Sequence, residues 1–258
     1  NLARQLCIVV ACNNDACLER NLLASDLVVK HGVSVHVERG APSASIAYNR
    51  GLDATDAPYV IFAHQDVYLP PSWLENLASA IETISVQDPD WALLAPIGMA
   101  LDEEHIGDIW TTCLNKRVGR PVKDPEAAQS VDEQIFVLRR ATGLRFDEKL
   151  PFYHLYGTDI VQAAWASGHG AYVANIPVVH NDGFKGRLRG DFTAGFEYVR
   201  RKWKAALPLR TTVLRISWHG LNLPYYRFRT WRSFARRQSM AGDETADPRG
   251  FSALCGWE

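Results

Sequence analysis

The stretch Tyr59-Val-Ile-Phe-Ala-His-Gln-Asp66-Val-Tyr-Leu-Pro-Pro-Ser-Trp73 decides the fold. It opens on a continuous apolar run, the pattern of a strand buried on both faces of a parallel sheet. That run passes directly into His64-Gln65-Asp66. A carboxylate placed there needs a partner, because burying an unpaired charge costs several kcal/mol. The identity of that partner decides the function.

Leu6-Cys-Ile-Val-Val-Ala11 reads as a second buried strand, broken by Cys12-Asn-Asn-Asp15. The spacing predicts a helix from Ala16 to Val29, closed by Gly32. Val33 to Glu38 alternates as a strand does, and Ser43 can cap a helix carrying Ile46, Ala47 and Leu52 on one side. Ser72-Trp-Leu-Glu75 has the form of a capping box, and Leu74, Leu77, Ala78, Ile81 and Ile84 follow at helical spacing. Trp91 to Pro96 is another buried strand. The resulting β-α-β-α-β-α-β order predicts an α/β fold, a mostly parallel mixed sheet with helices on both faces. Further on, Gln134 to Leu138 is expected as an antiparallel strand and Ile160 to Ser167 as a helix ended by Gly168. Ala171 to Val179 is expected as one strand, placed at an edge by Pro177. Phe192, Phe196, Val199 and Trp203 mark one face of a later helix. From Pro208 onward the chain is rich in Arg and aromatics and reads as a helical extension.

The 258 residues are 47% apolar and 22% charged, which places the chain among globular proteins. A formal net charge of −1 makes no whole-chain case for nucleic-acid binding. The five cysteines lack metal-finger spacing and are expected as free thiols in a reducing compartment. No apolar run approaches the roughly 20 residues of a membrane helix. Gly98, Gly107 and Gly119 do not make a GxGxxG turn, and neither GxxxxGK[ST] nor GxSxG occurs. These absences speak against a nicotinamide dehydrogenase, a P-loop ATPase and an α/β-hydrolase.

In open parallel sheets, ligands bind beyond the carboxyl ends of the strands. Cys12-Asn13-Asn14, Glu38-Arg39, His64-Gln65-Asp66 and His180-Asn181-Asp182 all fall at such ends. One reading gives Asp66 and His180 a divalent cation that holds a diphosphate. The other makes Asp66 a turn residue and His180 a structural histidine. Asp159, at a predicted helix start in Phe152-Tyr-His-Leu-Tyr-Gly-Thr-Asp159, has two readings as well. It is favoured there by the helix dipole, and it would also suit a general base.

Four stretches together resemble the family-2-like glycosyltransferases of the GT-A fold, in the subgroup with His-Gln-Asp in place of Asp-x-Asp. They are Ile8 to Asn14, Ala47 to Leu52, Val60 to Val67 with Trp73, and Phe152 to Asp159 followed by Gly168 and Val178 to Asn181. The resemblance spans roughly residues 5 to 185 and implies a nucleotide-sugar donor, a divalent Mn2+ or Mg2+ ion and a glycan or lipid-linked acceptor. It implies that Ala11, Cys12, Asn13 and Glu38 line the base and ribose pocket, with Asn49 and Gln65 as further nucleotide contacts. Asp66 and His180 would hold the metal, and Asp159 would be the base of an inverting transfer. Asp132, Glu133, His154, Lys185 and Arg187 are expected near donor or acceptor. Many relatives carry a carboxylate two residues before Asp159, where this chain has Gly157. On this reading residues 1–185 form the transferase domain and residues 186–258 an extension packed on it.

The chief rival is a degenerate transferase that binds a nucleotide or glycan without turnover. A nucleotidyltransferase is disfavoured by the missing Gly-rich basic loop. The interleaved Arg and aromatic residues from Tyr225 to Arg237 are expected to pack on the core, with acceptor, subunit or anionic-membrane contact as alternatives. The expected location is the cytoplasm, with the inner face of a membrane as its variant.

Overall fold

Strand β1 (Leu6–Cys12) sits between two parallel neighbours, β2 (Ser34–Arg39) and β3 (Tyr59–His64). The computed structural model describes residues 2–184, 188 and 190–258. Helices α1 (Asp15–Arg20) and α2 (Asp26–Val29) link β1 to β2, and α3 (Ala44–Asp53) links β2 to β3. A two-residue strand β4 (Val67–Tyr68) and helix α4 (Trp73–Gln87) lead to β5 (Leu93–Ala95) and β6 (Ile97–Ala100). Short strands β7 (His105–Gly107), β8 (Ile109–Thr111) and β9 (Lys116–Val118) precede β10 (Glu126–Val131) and β11 (Ile135–Arg139). Then come α5 (Tyr156–Ala166), β12 (Ala171–Val173), β13 (Val178–His180) and α6 (Gly190–Lys202). The chain continues through β14 (Leu209–Arg210), β15 (Arg215–Ile216), α7 (Asn222–Arg232), α8 (Phe234–Met240) and α9 (Arg249–Leu254).

Among the described residues, nine strands make the central sheet, in the order β2-β1-β3-β11-β5-β12-β10-β6-β7. Strand β11 is antiparallel to both β3 and β5, while β12 returns parallel to β5. Most strands therefore share one direction, with β7, β10 and β11 reversed. Alternation along the strands builds two cores. Val9, Val60, Phe62, Phe136 and Leu138 face one side, packed with Tyr48 of α3, Tyr156 and Ile160 of α5 and Phe196 of α6. Ile8, Val10, Ile61, Ala63 and Val137 face the other, against Leu18 and the α4 stripe Trp73, Leu77, Ala80 and Ile84. Leu209, Leu214, Ile216 and Leu223 join the first core, so the later segment shares the body of the earlier one.

A second sheet, β4-β13-β8-β9, stands at the carboxyl ends of the central strands. The expected single strand Ala171 to Val179 divides here. β12 stays in the central sheet between β5 and β10, and β13 crosses into the second sheet between β4 and β8. Pro177 lies in the link rather than on an edge, since a residue without an N–H is best placed where no ladder bond is lost. The helix expected from Ala16 to Val29 is also interrupted. Asn21 is buried and spends its amide on the Cys17 carbonyl at 2.8 Å, while the Asn181 amide donates to Asn21 Oδ1 at 2.8 Å. Ser25 accepts from Leu69 N at 2.9 Å. These cross-links outcompete local helix continuity. The expected capping box is not formed, because Ser72 Oγ donates to the Trp257 carbonyl at 2.8 Å. Trp257 packs with Tyr68 and Val179, and Thr245 N donates to Asn181 Oδ1 at 2.8 Å, so residues near the C-terminus floor the second sheet.

Gly51 fixes how closely α3 lies on β1. A Cβ there would meet Val9 Cγ1 at 2.2 Å. Gly51→Ala is expected to cost about 1–3 kcal/mol by urea unfolding, from overpacking. Adding Val9→Ala makes room, so the double variant should lose less stability than the two single changes summed.

Candidate metal and nucleotide site

Register brings the expected residues to one rim. Ala11 lies opposite Glu38 on one side and His64 on the other, so three parallel strands end level. Beyond them, Gln65 Oε1 accepts from the backbone N–H groups of Asn13 and Asn14, each at 3.0 Å, and Gln65 Nε2 donates to Asn13 Oδ1 at 2.8 Å. Gln65 therefore clasps the β1 and β3 ends together. Cys12 is buried, its thiol 3.6 Å from Asp15 Oδ1, and burial pushes its pKa up. Glu38 pairs with His36 Nε2 at 2.7 Å and lies 3.9 Å from Arg50.

The pairing of β13 with β4 sets His180 opposite Val67, and Asn181 N donates to the Asp66 carbonyl at 2.8 Å. The side chains follow. His180 Nε2 is 3.3 Å from Asp66 Oδ1, and His64 Nδ1 is 3.9 Å from the same oxygen. One ligand atom from each of His64, Asp66 and His180 lies within 4.8 Å of the other two. Two imidazoles and a carboxylate so converged fit a divalent transition metal with positions left for other oxygens. Burial disfavours the His180 cation, but Asp182 and Asp66 outweigh it and raise its pKa to about 9. Asp182 is itself held by Thr111 Oγ1 at 3.0 Å, Thr112 Oγ1 at 3.3 Å and Cys113 N at 3.1 Å. Such outer partners orient a metal ligand.

His64 is oriented from behind. Tyr156 donates its hydroxyl proton to the Glu133 carbonyl at 2.7 Å, so His64 Nε2, 2.8 Å away, donates to the Tyr156 oxygen. That assignment leaves the His64 Nδ1 lone pair on the Asp66 side. Sequence alternation had put His64 and Asp66 on one face, but nothing marked Tyr156 as its support. Gln134 carries no local mark of its place behind His64. It is fully buried, its backbone carbonyl accepts from His64 N at 2.7 Å, and its side-chain amide has no partner among the described residues.

Gly157 packs closely on the strand before β11, where a Cβ would lie 2.7 Å from the Val131 carbonyl oxygen and 3.3 Å from Glu133 Cγ. Burial and the neighbouring Asp132 charge push the Glu133 carboxyl up to about 8, against a bond from the Leu155 N–H. Asp132 accepts from Thr212 Oγ1 at 2.8 Å and from Gln134 N at 3.2 Å.

Other expected residues are hydrogen-bonded or ion-paired within the fold. Asn49 is buried in α3, where its amide donates to the Phe146 carbonyl at 3.0 Å and Glu148 at 2.9 Å and accepts from Phe146 N at 3.0 Å. With those bonds made, it holds the loop at Phe146 and Glu148. Asp159, expected as the catalytic base, is 3% exposed. Lys202 Nζ donates to it at 2.9 Å and Trp203 Nε1 at 2.7 Å. A carboxylate holding a cation and an indole N–H anchors α6 on α5. Burial raises its pKa, opposed by Lys202. His154 sits 3.6 Å from Asp191 at the start of α6. Lys185 and Arg187 lie outside the described residues.

No family model matches the chain. A curated relative from Fuscovulum blasticum, described as ATP synthase subunits region ORF 6, is 28% identical over 131 residues, 47% of this chain and 51% of its own. The chain thus spans about half the length of the curated relative it matches. Similar solved structures include a mannosyltransferase, PcManGT from Pyrobaculum calidifontis, in complex with GDP-Man and Mn2+. It is 12% identical, with 98% of this chain and 76% of that one covered, at a TM-score of 0.46. TarS 1–349 from S. aureus is 13% identical, with 76% and 64% covered, at a TM-score of 0.47. A197 from STIV is 7% identical, with 66% and 82% covered, at 0.41. At TM-scores below 0.5 these likenesses do not bear on the chemistry, which rests on the side chains of the cleft.

The raised carboxyl of Glu133 has a stability signature. Its pKa lies near 8 in the fold and near the ordinary 4.5 in the unfolded chain. Between those values the native state keeps a proton that the unfolded state has released, so stability falls as pH rises through the window and levels above it. Glu133→Gln removes this component. The variant should gain stability relative to the parent between about pH 5 and about pH 9 in paired urea titrations.

Proposed function

We propose that the chain is a glycosyltransferase that uses a nucleotide-sugar donor and a divalent cation. The observation that carries the reading is the convergence of His64, Asp66 and His180 at the carboxyl ends of parallel strands, beside the Asn13–Gln65 rim. The resemblance of the same residues to His-Gln-Asp transferases supplies the reaction class. These three side chains would hold the ion, which when bound would neutralise the diphosphate as it leaves.

The protein's own groups do the rest. The rim at Ala11, Asn13 and Glu38 receives the nucleoside. Tyr156 and Asp182 keep the two histidines oriented. Glu133 takes the acceptor hydroxyl proton in place of the carboxylate missing at Gly157. The freed oxygen attacks the anomeric carbon, and the bond to the diphosphate breaks with its electron pair on the nucleoside diphosphate. In-line displacement inverts the anomeric centre. With its carboxyl pushed up to about 8, Glu133 becomes ionised as pH approaches that value, so turnover should rise with pH toward it. A second reading, binding without turnover, is favoured by the commitment of Asp159 to Lys202 and Trp203.

Calorimetry with UDP, GDP and dTDP, each with Mn2+ or with chelator, tests the site. One nucleotide should bind with Mn2+ and not with chelator, and Asp66→Ala should abolish that binding. Binding indifferent to Mn2+ and to Asp66 would overturn the metal-diphosphate reading.

Glu133→Gln separates enzyme from binding module. It should keep the metal-dependent nucleotide affinity while release of nucleoside diphosphate from the matching nucleotide sugar slows about 100-fold or more. A parent protein that binds but releases nothing would favour the binding module.

A further inference from the structure

From Tyr198 to Gly242 the chain holds eleven Lys and Arg and no Asp or Glu, although its overall formal charge is −1. The basic excess is concentrated in one segment. Within it, α7 carries apolar or aromatic side chains on both sides. Its inner side carries Leu223 and Tyr226 onto the core, and Arg227 donates to Thr193 Oγ1 at 2.6 Å. Its outer side carries Tyr225, Phe228 and Trp231, which are 60%, 51% and 59% exposed. A helix that met only water would carry polar residues there. Arg229 lies over the Tyr225 ring at 5.8 Å and Arg232 over Phe228 at 5.7 Å, so the cations stand among the rings. An open groove of about 640 Å³, lined by Phe228, Trp231, Arg232, Phe234 and Ala235, continues the face toward α8.

We propose that this face docks on an anionic lipid surface, with Tyr225, Phe228 and Trp231 at the headgroup level and Arg229, Arg232 and Arg236 against the lipid phosphates. Aromatic residues with apolar bodies and polar edges favour that depth, and clustered arginines supply the attraction. No helix of the described residues is long and apolar enough to cross a membrane, so the contact is peripheral. A second copy of the chain is a poorer occupant, because two such cationic faces repel. The inference is independent of the proposed transferase activity, since it uses none of the cleft residues.

The test is co-sedimentation of the full chain with phosphatidylglycerol–phosphatidylcholine vesicles and with phosphatidylcholine alone, at low and high salt. Binding should require the anionic lipid and weaken with salt. Phe228→Ser with Trp231→Ser should lower partitioning at least about tenfold. Independently, Arg229→Glu, Arg232→Glu and Arg236→Glu together should do the same. Thermal unfolding of both variants, unchanged from the parent, keeps the loss attributable to the surface. Equal binding to neutral vesicles, or none to anionic ones, overturns the proposal. So does self-association in sedimentation velocity, or capture of a single-stranded oligonucleotide, that both variant sets abolish while vesicle binding is absent.

Discussion

The contact on which the site depends is a backbone pairing two residues long. Val67 and Tyr68 meet His180 and Val179, and Asn181 N reaches back to the Asp66 carbonyl at 2.8 Å. Without it, Asp66 would lack the His180 imidazole beside it. With it, an imidazole from far along the chain is held 3.3 Å from the carboxylate oxygen. The central sheet positions His64 and Asp66 through β3. The second sheet positions His180 through β13, and only their junction unites the three.

Around that junction, polar side chains are spent on geometry. Gln65 ties the β1 and β3 ends through three hydrogen bonds. Asp182 accepts three more while facing His180. Tyr156 fixes the His64 ring and is itself packed against Tyr48 and Phe146 in the apolar core. The rigidity of the site therefore derives from the same core that stabilises the fold.

Much of this was legible in the residues. The apolar runs at Leu6 and Tyr59 announced the parallel strands, and strand alternation placed His64 beside Asp66. The antiparallel strand at Gln134 was legible from its own apolar run. What could not be read were choices made by distant partners. Asp159 at a helix start looks the same whether it faces a cleft or a lysine, and Lys202 lies 43 positions later. Ser72 and Glu75 match a capping box, yet the Ser72 hydroxyl is claimed by Trp257, 185 positions away. Asn49 carries no local mark of its loop at Phe146 and Glu148. The division of Ala171 to Val179 between two sheets is likewise a tertiary matter, hinted at only by Pro177. Glu133 was legible as a polar residue before a strand, but its closeness to Gly157 needed the packing of α5.

The hydrogen bonds between Asn181 and Thr245 span 64 positions, and those between Ser72 and Trp257 span 185. Closing such loops delays the contacts that depend on them, because chain entropy is lost before any bond rewards it. The platform beneath His180 thus assembles late, after β1, β2 and β3 and their helices can already have paired. A growing polypeptide would carry the paired β1, β2 and β3 well before it brought His180 to Asp66. The cluster of His64, Asp66 and His180 would then close with residues near Trp257, not with the sheet that displays His64 and Asp66.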